Sequence, residues 1–419
     1  MSAAASMPAG RDATRADAIA GVVPRVVFEP ASREECREVF RAAHADRLAL
    51  AVVGGGTDLG LGGRPVRLDA VVSTRRLDRI LEYAPSDQVV VVEAGVTLSA
   101  LQAALAENGQ RLACDPPLGE RRTAGGLLAT NAFGPLRTRH GSLRDLVIGV
   151  SIVRADATVA RGGGKVVKNV AGFDLPKLMV GALGTLGMIE TATFRLHPLP
   201  EATATLQVRG LTARAVRSLV VAMRAAQVEP AAVAAVAHGL ARAETFDVLV
   251  RFEGFAAGIA EQGARTADLV HEAGRAAETL PSAQAQAAWR EHDALRTRGN
   301  TRVKVSALPS ALEMVAAQVV PAVAQALSAA STILYPTVGL GFLAGDVTDH
   351  VAFAAGLIRA RALLAASAGS LVVEDLPVDA RGAVDVWGPP PAAFALMKRV
   401  KHRFDPENRL NPGRFVGGL

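Results

Sequence analysis

Cysteine is nearly missing from this chain: 419 residues hold two, Cys36 and Cys114. Two thiols so far apart give no disulfide framework and no metal-ligand spacing, and they fit a reducing, cytoplasmic setting. Aromatic residues make up 4% of the sequence, with no basic cluster that aromatics interleave, which removes the usual signature of nucleic-acid binding. The formal charge of +6 comes from scattered arginine. It reads as a solvated surface, with an acidic partner or an anionic membrane face as the alternative. No run of about twenty apolar residues is present to span a membrane. Residues 1–21 lack the basic-then-apolar order of a signal peptide and read as a flexible tail. His238, His271, His292 and His350 stand at no metal-ligand spacing, so no metal site is expected.

What remains is an ordinary globular composition, 50% hydrophobic and 21% charged, at a length that suits two domains. Glycine is its most informative residue. Residues 48–53 read as a buried strand running into Gly54-Gly55-Gly56-Thr57-Asp58. Successive glycines let amides converge into an anion nest, for which a pyrophosphate is the natural occupant. No Gly-Lys-Ser/Thr follows, so this is not a Walker loop. Before it, Ser32 is placed to cap a helix over 33–47, with Cys36, Val39, Phe40 and Ala43 at helical spacing. After it come three short strands within 70–94 and a helix starting at Thr97.

A second glycine segment follows: Asp115-Pro116-Pro117, then Thr123-Ala124-Gly125-Gly126, then Thr130-Asn131 and Gly134. Gly125 and Gly126 open a helix whose N-terminus would face phosphates or ring oxygens, and Thr123, Thr130 and Asn131 offer short polar groups. The third segment, 162–190, reads GGGKVVKNVAGFDLPKLMVGALGTLGMIE. Its glycines leave room for a flat ligand beside the main chain, next to Ile189.

These three segments closely resemble the FAD-binding domain of vanillyl-alcohol-oxidase-type flavoproteins, whose pattern runs Gly-Tyr-Asp-Leu and then Gly-Thr-Leu-Gly-Ile-Ile. Phe173 stands here for the tyrosine, Met188 for the first isoleucine and His140 for the tyrosine of an Arg-Tyr-Gly stretch. The resemblance implies an α+β protein: a PCMH-type two-subdomain FAD-binding domain over 22–200, an α+β cap domain over 201–395, and a segment over 396–419 that packs back on the flavin domain. It implies FAD held by Gly54, Gly55, Gly56, Thr57, Asp58, Pro117, Thr123, Gly125, Gly126, Thr130, Asn131, Gly134 and Ile189. Covalent relatives attach the flavin through a histidine that the triple-glycine loop lacks, so the FAD is expected to be noncovalent, with Cys114 a packed thiol.

Beyond Pro200, strands alternate with alanine-rich helices, which suits a cap domain. Residues 276–302 are polar, with Trp289 as a single anchor, and read as a lid, a partner-facing loop or a plain connector. The end, Phe404-Asp405-Pro406 followed by Leu410-Asn411-Pro412-Gly413-Arg414, resembles the terminus of the flavoproteins that oxidise 2-hydroxy acids. The His-x-Gly-Asp-Gly-Asn-x-His run of many such enzymes is missing; residues 335–341 carry no histidine and no acid there. In that respect the chain resembles the shorter FAD-binding subunit of glycolate oxidase, which works beside a larger flavin subunit and an iron–sulfur subunit and, through them, at the inner face of the membrane. The implied reaction is hydride transfer from glycolate or D-lactate to FAD. The alternatives are a flavin-holding relay or assembly subunit, and a stand-alone alcohol oxidase using His140 as base. Lys168 or Arg139 is placed to balance reduced-flavin charge or to form a surface ion pair; the sequence names no catalytic base.

Overall fold

The computed structural model describes residues 8–165, 172–237 and 244–419. A first sheet contains β1 (Arg11–Asp12), β2 (Val26–Phe28), β3 (Leu50–Val53) and β4 (Ala70–Ser73), in the order β1-β2-β4-β3. Strands β2 and β3 both run parallel to β4, with Val27 beside Val71 and Val52 beside Val72. Strands with the same direction need a crossover, and helix α1 (Arg33–Ala45) supplies it. Ser32 accepts a hydrogen bond from the Glu35 amide to start α1, and Cys36, Val39, Phe40 and Ala43 are buried along one stripe.

The next strands are β5 (Ile80–Ala84), β6 (Val89–Glu93), β7 (Gln110–Arg111), β8 (Val147–Val153), β9 (Val159–Gly163), β10 (Met188–Arg195) and β11 (His197–Pro198). Strands β7 and β11 pair with each other, and the rest form an antiparallel sheet in the order β5-β6-β10-β8-β9. Helices α2 (Leu98–Ala106) and α3 (Ala124–Thr130) cover this sheet, each capped by a threonine, Thr97 and Thr123. Pairing of β10 with β8 skips Glu190: Ile189 faces Ile152 and Thr191 faces Ser151. Such a bulge re-aims a side chain. The fully buried Glu190 carboxylate thereby meets Arg37 of α1 at 2.7 Å and Ser151 Oγ at 3.0 Å, tying the two sheets together beside Ile189.

The second half forms one antiparallel sheet of eight strands: β12 (Ala202–Leu211), β13 (Ala232–Ala237), β14 (Phe246–Gly254), β15 (Ala277–Thr279), β16 (Thr301–Ser306), β17 (Leu327–Tyr335), β18 (Leu340–Val347) and β19 (Ser370–Asp375). Alternation along β13 sorts its residues cleanly. Val233, Ala235 and Ala237 enter the core under the outer helices, whereas Ala232, Ala234 and Val236 pack with Phe133 and Leu136 of the first half.

Two stretches differ from their sequence reading. Residues 8–21 are not a loose tail: β1 pairs with β2, Thr14 and Asp17 form a reciprocal cap, and Ile19 is 2% exposed. Residues 276–302 are not a connector either. They form β15, a fifteen-residue helix (Ser282–Arg296) and the start of β16, anchored by Trp289, whose Nε1 donates to Thr205 Oγ1 at 3.1 Å.

The C-terminal stretch crosses back to the first sheet. After the helix Phe394–Phe404, the Leu50 amide donates to Arg409 O and the Asn411 amide donates to Leu50 O, so this segment adds to the open edge of β3. Lys401 Nζ, buried, donates to Asp405, Thr185 O and Leu410 O, which fixes the turn before it.

Candidate functional site

Residues 52–59, 123–130 and 179–189 meet around one cleft of about 850 Å³. Ile19, Thr74, Ala94, Asn411 and Arg414 complete its walls. The glycines explain how the chain comes so close. A Cβ on Gly55 would stand 1.8 Å from Arg121 O, and one on Gly54 would stand 2.1 Å from Thr123 Oγ1. First loop and second segment therefore touch with no room for a side chain between them.

Among the described residues, the amides of 55–58 donate to no acceptor. Four successive unpartnered N–H groups on a cleft wall are what a bound anion would satisfy. The start of α3 behaves differently from its sequence reading. Its amides are already engaged, Ala124 with Val96 O, Gly125 with Ala94 O and Gly126 with Thr123 Oγ1. The turn that follows β6 lies across that first turn of the helix, so α3 presents bare backbone rather than free donors. Thr130 Oγ1 donates to Gly126 O at 2.9 Å and also lies within hydrogen-bond reach of the Asp58 carboxylate.

Asp58 and Arg122 form a two-point ion pair beneath the loop, with Arg122 Nη2 3.1 Å from Asp58 Oδ1, and Arg122 Nε donates to Pro117 O at 2.7 Å. Burial pushes the Asp58 pKa up, but the Arg122 guanidinium, then the charge of Arg302 and a hydrogen bond from the Thr130 side chain, bring it below its ordinary value. The loop thus carries an ionised, neutralised aspartate.

Of the residues named from sequence, Gly54, Gly55, Gly56, Thr57, Asp58, Thr123, Gly125, Gly126, Thr130 and Ile189 line the cleft. Pro117, Asn131 and Gly134 are not on its wall. Pro117 holds Arg122 through its carbonyl. Asn131 closes α3 in the left-handed conformation at φ 50°, and its Oδ1 is buried with no partner. Gly134 lies on Asp115, where a Cβ would meet the carbonyl oxygen at 1.8 Å. Sequence reasoning missed Ile19, Thr74, Asn411 and Arg414 as wall residues; for Asn411 and Arg414 the Asn-Pro-Gly-Arg run was the available signal.

The other candidates lie elsewhere. His140 stacks edge-on to His197 at 4.7 Å and faces Arg111 and, on the eight-stranded sheet, Glu253. Burial, with His140 and several arginines adding, lowers His197 to a pKa of about 4. Arg139 donates to Glu253 O at 2.7 Å. Lys168 lies outside the described residues. Burial drives the Cys36 thiol up to about 12 and the Cys114 thiol higher still, so neither is a nucleophile at neutral pH. Phe173 is 98% exposed and outside the cleft wall. No residue of 200–395 lines the cleft, and no metal-binding cluster occurs among the described residues. None of the described helices is long and apolar enough to cross a membrane.

Comparison with known proteins agrees with this geometry. Residues 24–163 match a model of the FAD binding domain. The chain is 28% identical to the D-lactate dehydrogenase of Archaeoglobus fulgidus over 423 residues, 94% of this chain and 92% of that protein. It is 37% identical to glycolate oxidase subunit GlcE of Escherichia coli over 171 residues, 41% of this chain and 48% of that protein. Several further curated relatives are matched over less than half their length. The structure of p-cresol methylhydroxylase superposes with a TM-score of 0.73 at 15% identity, covering 93% of this chain and 88% of that one. The α+β PCMH-type architecture expected from the sequence is the architecture of this protein.

Proposed function

We propose that this chain is an FAD-linked oxidase with FAD as its cofactor, and that it serves a 2-hydroxy-acid dehydrogenase, with glycolate or D-lactate as substrate, as one flavin-binding subunit of a complex. The observation that carries the reading is the cleft itself, where four unpartnered amides meet glycine-bared backbone from two other segments. FAD supplies, when bound, a two-electron acceptor for the hydride on the α-carbon of a CH–OH substrate, which leaves as a 2-oxo acid.

The chain's own residues bind and orient. Amides 55–58 take the diphosphate, noncovalently, while Asp58 and Arg122 hold that loop against the second segment. Thr123 and Thr130 offer oxygens to the ribityl hydroxyls. Gly125, Gly126 and Ile189 give flat surfaces to the ring. Pro117, Asn131 and Gly134 act one layer behind, with Asn131 Oδ1 the buried acceptor still open. Similarity to GlcE and to the glycolate oxidase subunit GlcD of Bacillus subtilis supports a multi-subunit complex; a larger flavin subunit and an iron–sulfur subunit are the partners proposed, in the cytoplasm or at the membrane face.

A second reading, that this subunit holds flavin without oxidising substrate itself, is favoured by one observation. The inner face of the cap sheet is filled: Tyr335, Phe342, Leu249 and Trp289 pack with Phe133 and Leu136, and among the described residues none of 200–395 lines the cleft. The test is anaerobic. The chain is purified alone, its flavin absorbance recorded, and glycolate or D-lactate added. Bleaching of the isolated chain supports a complete active site, and bleaching only with the larger subunit present supports the holding role. Absence of bound flavin would sink both.

A further inference from the structure

Among the described residues, two charged side chains line the cleft, Asp58 and Arg414. Asp58 is neutralised by Arg122. Arg414 is 5% exposed and has no carboxylate within ion-pair distance among the described residues. Its guanidinium donates to the carbonyls of Leu59 (3.0 Å), Leu61 (2.5 Å) and Gly63 (3.1 Å). That spends three of its five N–H donors, and the other two meet no described acceptor. Burial, reinforced by the nearby Arg381, pulls its pKa down to about 10. A buried cation facing carbonyls alone is costly unless an anion joins it.

Resting on the FAD reading above, we propose that Arg414 is the counter-charge for the cofactor's diphosphate, so that the C-terminal segment completes the binding site. The amide nest at 55–58 and this guanidinium stand on the same cleft, and the carbonyls that grip Arg414 begin immediately after the nest. The bland account is a clamp: Arg414 merely holds loop 59–63. Arg381 provides the control, because it grips the interleaved carbonyls of Gly60 (2.8 Å) and Gly62 (3.1 Å) and does not line the cleft.

The experiment measures FAD dissociation constants by fluorescence quenching on apoprotein reconstituted from the full chain, with apoprotein melting temperatures alongside. R414Q is expected to weaken FAD by about tenfold or more, R414K to stay within about threefold of the parent, and R381Q to lower the melting temperature with FAD affinity within about threefold. Retention of affinity by R414Q overturns the proposal, as does equal loss in R414Q and R414K. If R414Q does not fold, R414K decides alone, since it keeps the charge and loses the fork that grips three carbonyls: affinity within threefold supports the proposal, and a tenfold loss overturns it. A parent protein that binds no FAD would instead refute the cofactor reading.

Discussion

Asp58 and Arg122, 64 residues apart in sequence, pair through both carboxylate oxygens and so lock the first glycine loop to the second. Their side chains are 20% and 9% exposed, dry enough that losing one partner strands the other. D58A should therefore cost about 3–5 kcal/mol in urea unfolding of the apoprotein, and D58A combined with R122M should recover most of it. Simple additivity of the two single losses would show that the pair does not couple the loops.

Gly55 and Gly164 separate a needed glycine from a tolerated one. A Cβ at Gly55 lands 1.8 Å from a backbone oxygen that cannot yield, whereas one at Gly164 meets nothing within 4 Å. G55A should abolish flavin retention and lower stability by several kcal/mol, and G164A should change it by less than about 1 kcal/mol. Flavin content after gel filtration reads the first effect, and thermal melts read the second.

Asp115 makes stability depend on pH in a direction unusual for a carboxylate. Burial raises its pKa to about 7, with Arg251 and the Leu136 amide opposing. Between its unfolded pKa and about 7 the folded state holds the extra proton, so this group's contribution falls as pH rises through that window. D115N removes the titration while keeping an acceptor for the Leu136 amide. Its stability relative to the parent should improve by roughly 2–4 kcal/mol from pH 4.5 to pH 8. A difference that is flat with pH would contradict the assignment.

His140 offers the cleanest test against a solitary alcohol oxidase. Its ring is boxed by His197, Arg111 and Glu253 and is not on the cleft wall. H140Q should leave the anaerobic flavin reduction rate, measured with whichever subunits support it, within about threefold of the parent; a loss of 10² or more would mark His140 as the base.

The parts readable in the sequence were those whose chemistry is local. Gly54 to Asp58 announce a nest because the amides that form it are neighbours, and Ser32 and Thr123 announce helix starts because a cap acts within three residues. For Arg414 the Asn-Pro-Gly-Arg run signalled a distinctive terminus but not its place on the cleft, since the carbonyl of Leu59 that it grips lies 355 residues away. The helix Ser282–Arg296 was hidden for another reason. It has no side-chain cap, and its two buried residues, Trp289 and His292, leave too thin an apolar stripe to set a period. The occupied amides at the start of α3 depend on where Ala94 and Val96, in the turn after β6, come to rest, which no motif encodes.

The edge of β3 has a consequence for the order of assembly. Leu50 is made early in synthesis, yet its pairing partners Arg409 and Asn411 leave the ribosome after the whole eight-stranded sheet has been translated. A nascent chain therefore carries an unsealed parallel edge and an open cleft for most of its synthesis. The cleft wall is closed last, by Asn411 and Arg414, once translation has passed residue 414.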